Sequence, residues 1–114
     1  MEVFRNELKK LLDTISQLNN QGQDEENFKT PIIHFLTETY YKGKNYVNSS
    51  KKYDLVIGNG EKVADSVAVI IETKRPSNST EMITSTNPNA KALHELVHYY
   101  MQERKNGNDE LKYL

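Results

Sequence analysis

The chain has 114 residues, no cysteine and a hydrophobic fraction of 36%, which suits one domain with a compact core and leaves no disulfide or thiolate metal site. Fifteen basic against sixteen acidic side chains give a net charge of −1, so the strongly basic balance of a protein that binds nucleic acid by charge alone is absent. No stretch approaches the roughly 18 consecutive apolar residues of a membrane span, and the opening MEVFRNELKK has no signal-peptide core, so a cytoplasmic protein without membrane insertion is expected.

Val3, Phe4, Leu8, Leu11, Leu12, Ile15 and Leu18 recur at helical spacing and predict a first amphipathic helix, stopped by Asn19 to Gly22. A second helical pattern follows Asp24, with Phe28, Ile32, Leu36 and Tyr40 in register. It begins near Glu25 and bends at Pro31, or Thr30 caps a helix whose first position is Pro31; the earlier start is preferred. After Gly43 the pattern changes to short β-branched and aromatic runs, predicting strands over 45–48, 52–57 and 67–73 with a turn at Gly58-Asn59-Gly60.

Val67 to Ile71 has no polar member, which predicts a central strand covered on both faces. Residues 77–90 are rich in Ser, Thr and Asn and read as a loop. Leu93, Leu96, Val97 and Tyr100 predict a core stripe on a third helix that ends before Gly107, and 111–114 looks like the opening of another strand. The order helix, helix, three strands, helix, strand describes a small α/β domain with a mixed or antiparallel sheet, taken as the amino-terminal fragment of a longer protein.

Chemistry is expected where Glu72-Thr73-Lys74 ends the apolar strand, because ionisable groups there need a reason. Side chains alternate along a strand, so Glu72 and Lys74 share a face and Thr73 points the other way. Asp54 interrupts the preceding strand between Tyr53 and Leu55. An antiparallel pairing with constant index sum places Asp54 opposite Glu72 if Val56 pairs with Ile70, whereas a tight turn centred on Asn59 and Gly60 would give an odd sum and the wrong face. Two carboxylates at a strand end make an all-oxygen site suited to Mg²⁺, with Mn²⁺ as substitute and a main-chain carbonyl such as that of Thr73 completing the shell. Lys74 beside it can orient water or offset charge on a phosphate, a combination that suits phosphodiester hydrolysis.

Asp54 followed by Glu72-x-Lys74 after a hydrophobic strand, between an amino-terminal and a carboxy-terminal helix, resembles the PD-(D/E)XK nuclease superfamily over residues 24–114. The runs VIIETKRPSNSTEMI and KALHELVHYYMQER are similar to restriction endonuclease nuclease domains of type II enzymes fused to a methyltransferase, and type I R subunits are also close. The resemblance implies a restriction-endonuclease-like core of helix, three-stranded meander, helix and strand. Asp54 and Glu72 would be metal ligands, Lys74 the catalytic lysine and Glu26 an acidic metal residue on the first core helix. Double-stranded DNA would be the substrate, with methyltransferase and recognition domains in the same chain or complex. Tyr53 stands where the name-giving proline would be, and Glu95 with Tyr99 where many relatives have Gln and Tyr.

His94-Glu95-Leu96-Val97-His98 matches the zinc-peptidase string H-E-x-x-H, whose histidines share a helical face. A third zinc ligand would have to come from 99–114, where Glu103 is turned aside by helical geometry and Asp109 and Glu110 lie near the end. The histidines are therefore expected to flank a core stripe, and His34 is expected to be structural. The readings carried forward are a Mg²⁺-dependent DNA endonuclease domain first, a noncatalytic nucleic-acid-binding or assembly module second, and a zinc peptidase last.

Overall fold

A computed structural model describes residues 1–114. Helix α1 (Glu2–Asn20) follows the predicted apolar stripe, yet none of its residues is buried. Phe4, Leu8, Leu11, Ile15 and Leu18 are half-buried, and Val3 and Leu12 open to solvent. The Phe4 ring meets Phe35 at 6.0 Å and Tyr40 at 6.4 Å, which ties α1 to the next helical segment through aromatic edges.

Helix α2 (Glu26–Leu36) takes the earlier of the two starts and carries Pro31 inside it. Its first turn is tightened by i→i+3 bonds, from the Asn27 N–H to the Asp24 carbonyl and from the Phe28 N–H to the Glu25 carbonyl. Pro31 has no N–H to return to the carbonyl four residues back, and Phe28 anchors the helix as its one buried residue. A single π-turn over Thr37–Tyr41 ends the segment, closed by the Lys42 N–H on the Thr37 carbonyl at 2.9 Å.

Strands β1 (Val47–Asn48), β2 (Leu55–Gly58) and β3 (Val67–Ile71) form an antiparallel meander in the order β1-β2-β3. The ladder of β2 and β3 pairs Leu55 with Ile71, Val56 with Ile70 and Ile57 with Val69, and then shifts so that Gly58 meets Val67. The even index sum of 126 holds over Leu55–Ile57, and the strands are joined by a loop over 59–66, so the tight turn centred on Asn59 and Gly60 does not form. A bulge after Ile57, where Gly58 meets Val67, shifts the sum by one only at the loop end, away from the site. β2 begins three residues later than expected and β3 stops two residues sooner, so Asp54 and Glu72 sit one step past the last paired residues, still facing each other.

The expectation that β3 is the doubly covered strand is corrected. Every residue of β2 is buried, whereas in β3 only Ile70 is. β2 has hydrogen-bonded partners along both edges; β3 has β2 on one side and, on the other, a single parallel bridge from Val69 to Tyr113. That bridge is held by the Ile70 N–H on the Tyr113 carbonyl and by the Lys112 N–H on the Ala68 carbonyl.

Helix α3 (Lys91–Lys105) lies over the face that carries Val56 and Ile70. Tyr53, Val56, Ile70 and Leu111 make the buried cluster there, with Leu96, Tyr99 and Tyr100 of α3 packed against it. The predicted stripe is partly overturned: Leu96 and Tyr100 point inward, but Leu93 and Val97 are exposed, together with Met101. The helix is rotated so that Glu95 and Tyr99 face the sheet, because a charged partner waits for Glu95 at the end of β3. The whole is a small α/β domain with a three-stranded antiparallel sheet, and no helix is long and apolar enough to cross a membrane.

Candidate metal centre

Asp54 precedes β2 and is fixed through one oxygen. Its Oδ2 accepts the Thr73 N–H at 2.9 Å and the Thr73 hydroxyl at 3.1 Å. Its Oδ1 lies 3.2 Å from Lys29 Nζ, which also reaches Glu26 Oε2 at 2.6 Å. Burial pushes the Asp54 carboxyl up, but the Thr73 N–H and the Lys29 ammonium outweigh it and hold the group below its ordinary range. Thr73, expected to offer its main-chain carbonyl to a metal, acts here through its N–H and hydroxyl, which orient Asp54.

Glu72 and Lys74 project from the same face past the end of β3, as strand alternation requires. Lys74 Nζ meets Glu72 Oε1 at 2.8 Å, with the two side chains only 6% and 5% exposed. Glu95 of α3 closes on the same ammonium at 3.2 Å, and Glu25 and Glu81 stand at 3.8 and 3.9 Å. One buried ammonium thus faces four carboxylates. The second oxygen of Glu72 is buried without a hydrogen-bond partner, a costly arrangement for a carboxylate. Burial and the adjacent Glu95 carboxylate push the Glu72 carboxyl up to about 8 against the pull of Lys74. Burial opposes the Lys74 charge, but Glu72 and Glu95 outweigh it, so the ammonium holds its proton more tightly than an ordinary lysine.

Glu25, Asp54 and Glu72 can each present one oxygen so that all three lie within 4.8 Å of one another, and no other group of three potential ligands does so. Oxygens around an octahedral Mg²⁺ are about 3 to 4 Å apart, a contraction that modest side-chain rotation supplies. The orphaned Glu72 oxygen and an all-carboxylate donor set fit a hard divalent cation. With a metal bound, Asp54 and Glu72 would hold it together with Glu25.

The whole chain, residues 1–114, matches one family model, described as a domain of unknown function. The chain belongs to the DUF7149 family. No curated protein matches it, and no solved structure does.

In this DUF7149 domain the acidic residue that α2 brings to the site is Glu25, at its N-cap, in place of the expected Glu26. The Glu26 side chain is 73% exposed and turns to Lys29. The two differ by one residue, or about 100° around the helix, and Phe28 sets the phase by pointing into the core three positions after Glu25. Glu25 and Lys29 are four apart and share a face. Lys29, Glu81 and Glu95 were not legible as site residues, since each reaches the cluster from an element distant in sequence.

The H-E-x-x-H string does not assemble a metal site. His94 Nε2 lies 2.6 Å from Asn89 Oδ1, Glu95 turns to Lys74, and both histidines are exposed. Beside the cluster Tyr99 stacks edge-on against Tyr53 at 4.9 Å, so its ring is a packing element of the α3 face.

Proposed function

We propose that this domain is a Mg²⁺-dependent DNA endonuclease of the PD-(D/E)XK type, serving a restriction-modification enzyme with a restriction-endonuclease-like core. The observation that carries the reading is the convergence of Glu25, Asp54 and Glu72 beside a buried Lys74. Chance acidic pairs on a surface lack that lysine, the even register across β2 and β3, and the orphaned inner oxygen. The order of helix, meander, helix and a parallel bridge at 113 agrees with the same reading.

A divalent cation in this site supplies Lewis acidity and lowers the pKa of bound water. Asp54 is pre-aimed by Thr73, so its free oxygen needs little reorganisation to act as a ligand. Lys74 stays an ammonium at neutral pH, so it donates hydrogen bonds to a non-bridging phosphate oxygen, where negative charge grows, and does not serve as a base. Glu95 and Glu72 hold the ammonium on the carboxylate side and limit its swing. The net charge of −1 leaves little capacity to neutralise phosphates, so capture of the DNA target falls to recognition and methyltransferase domains in the same chain or complex.

The test is plasmid cleavage with Mg²⁺ or Mn²⁺, alone and with those companion domains, paired with calorimetric titration of the cation. Asp54→Asn and Lys74→Gln should each abolish cleavage in protein that circular dichroism shows to be folded, and Asp54→Asn should also lose cation binding. Cation binding without cleavage in any context would assign the domain as a noncatalytic binding or assembly module. Cleavage that survives either substitution would remove the proposed reaction centre.

A further inference from the structure

Lys29 occupies the position most at odds with a metal centre. With Asp54 Oδ2 taken by the Thr73 N–H and hydroxyl, Oδ1 is the oxygen left to face a cation, and Lys29 Nζ lies 3.2 Å from it. The lysine side chain is only 13% exposed, so it fills that corner without being diluted by solvent. Its other partner, Glu26 Oε2 at 2.6 Å, belongs to a side chain 73% exposed and free to rotate outward. The two are three residues apart on α2, a spacing that keeps them in reach of each other through rotation.

We propose that Glu26 and Lys29 form a clasp that controls metal entry: Lys29 holds the metal-facing oxygen of Asp54 until a divalent cation arrives, and then withdraws onto Glu26. This rests on the metal-centre reading above and adds to it a positioning role for two residues that are not ligands. Glu26 influences the metal through Lys29 alone. Its charge gives the displaced ammonium a resting place, and without it Lys29 returns to Asp54 and competes. Coulomb's law at water's dielectric gives a factor of about ten or more for one ammonium some 4–5 Å from a divalent ion, so the competition is measurable.

A double-mutant cycle on the 114-residue protein tests this, with Mn²⁺ as the probe, isothermal titration as the readout and far-UV circular dichroism as the control for folding. Lys29→Met should tighten Mn²⁺ binding about tenfold or more, an effect that a lysine serving stability alone would not produce. Glu26→Gln should weaken binding several-fold in the wild-type background and leave it unchanged in the Lys29→Met background. Lys29→Gln reports the same tightening if the methionine variant does not fold. Unchanged or weaker binding in the Lys29 variants, or an equal loss from Glu26→Gln in both backgrounds, would overturn the clasp; the second result would make Glu26 a direct ligand. No Mn²⁺ binding by the wild type would sink the metal centre itself, and the clasp with it.

Discussion

Glu72→Gln isolates the consequence of burying one carboxyl beside Lys74. In the metal-free protein burial and the neighbouring Glu95 carboxylate push the group up to about 8 from an ordinary 4.5, so between those values the native state holds a proton that the unfolded chain has released. The raised value means that this stabilisation is complete below pH 4.5, falls as pH rises, and is gone once pH passes about 8. Asp54 and Glu95 are displaced downward and Lys29 and Lys74 upward, so their contributions stay constant across this window. Stability should therefore fall by on the order of 1 kcal/mol per pH unit, or about 2 kcal/mol between pH 5.5 and 7.5. Glutamine keeps the shape and an oxygen for Lys74 but has no proton to lose, so the variant should lack this slope. Urea unfolding followed by circular dichroism in EDTA reads the difference: a change of about 2 kcal/mol moves the midpoint by roughly 1 M. Divalent cation should oppose the trend, because binding expels the proton and affinity then rises with pH up to about 8. Parallel pH profiles for wild type and Glu72→Gln would refute the claim that this carboxyl is held neutral in the fold.

Thr73→Val removes the hydroxyl from Asp54 Oδ2 and keeps the N–H, so stability should drop by about 1 kcal/mol and Mn²⁺ affinity should weaken, both measurable on one sample by thermal shift with and without metal. Ile70→Ala empties a fully buried position on β3 beneath α3 and should cost about 2 to 5 kcal/mol in chemical denaturation. His98→Ala, on the exposed side of α3, should change stability by less than about 0.5 kcal/mol and leave Mn²⁺ binding as it was, whereas a zinc-binding role would show as loss of zinc in equilibrium dialysis.

Much of the site was legible because strand chemistry is local. Alternation put Glu72 and Lys74 on one face, and the pairing of Val56 with Ile70 followed from requiring Asp54 to meet Glu72. The bulge at the loop end, between Ile57 and Gly58, left no sign in the residues. Choosing Glu25 over Glu26 needed the helix phase, which Phe28 reports only once it is known to point inward. The α3 stripe was misjudged because Leu93 and Val97 are apolar while Glu95 is charged; hydropathy cannot register that a buried ammonium across the domain draws the charged face inward.

Residue order alone determined the element types, the absence of disulfides and membrane-length helices, and the alternation that puts Glu72 and Lys74 on one face, since each depends on spacing along a single segment; the register that sets Asp54 opposite Glu72 was one of two the residues allowed. The tertiary structure decided which strand is central, which glutamate joins the carboxylates, and that Lys29 and Glu95 stand among them. Those outcomes depend on how α2 and α3 are rotated against the sheet. That rotation is set by long-range packing of Phe28, Leu96 and Tyr99 and by the demand of a buried Lys74 for countercharge, neither of which is encoded in any one segment.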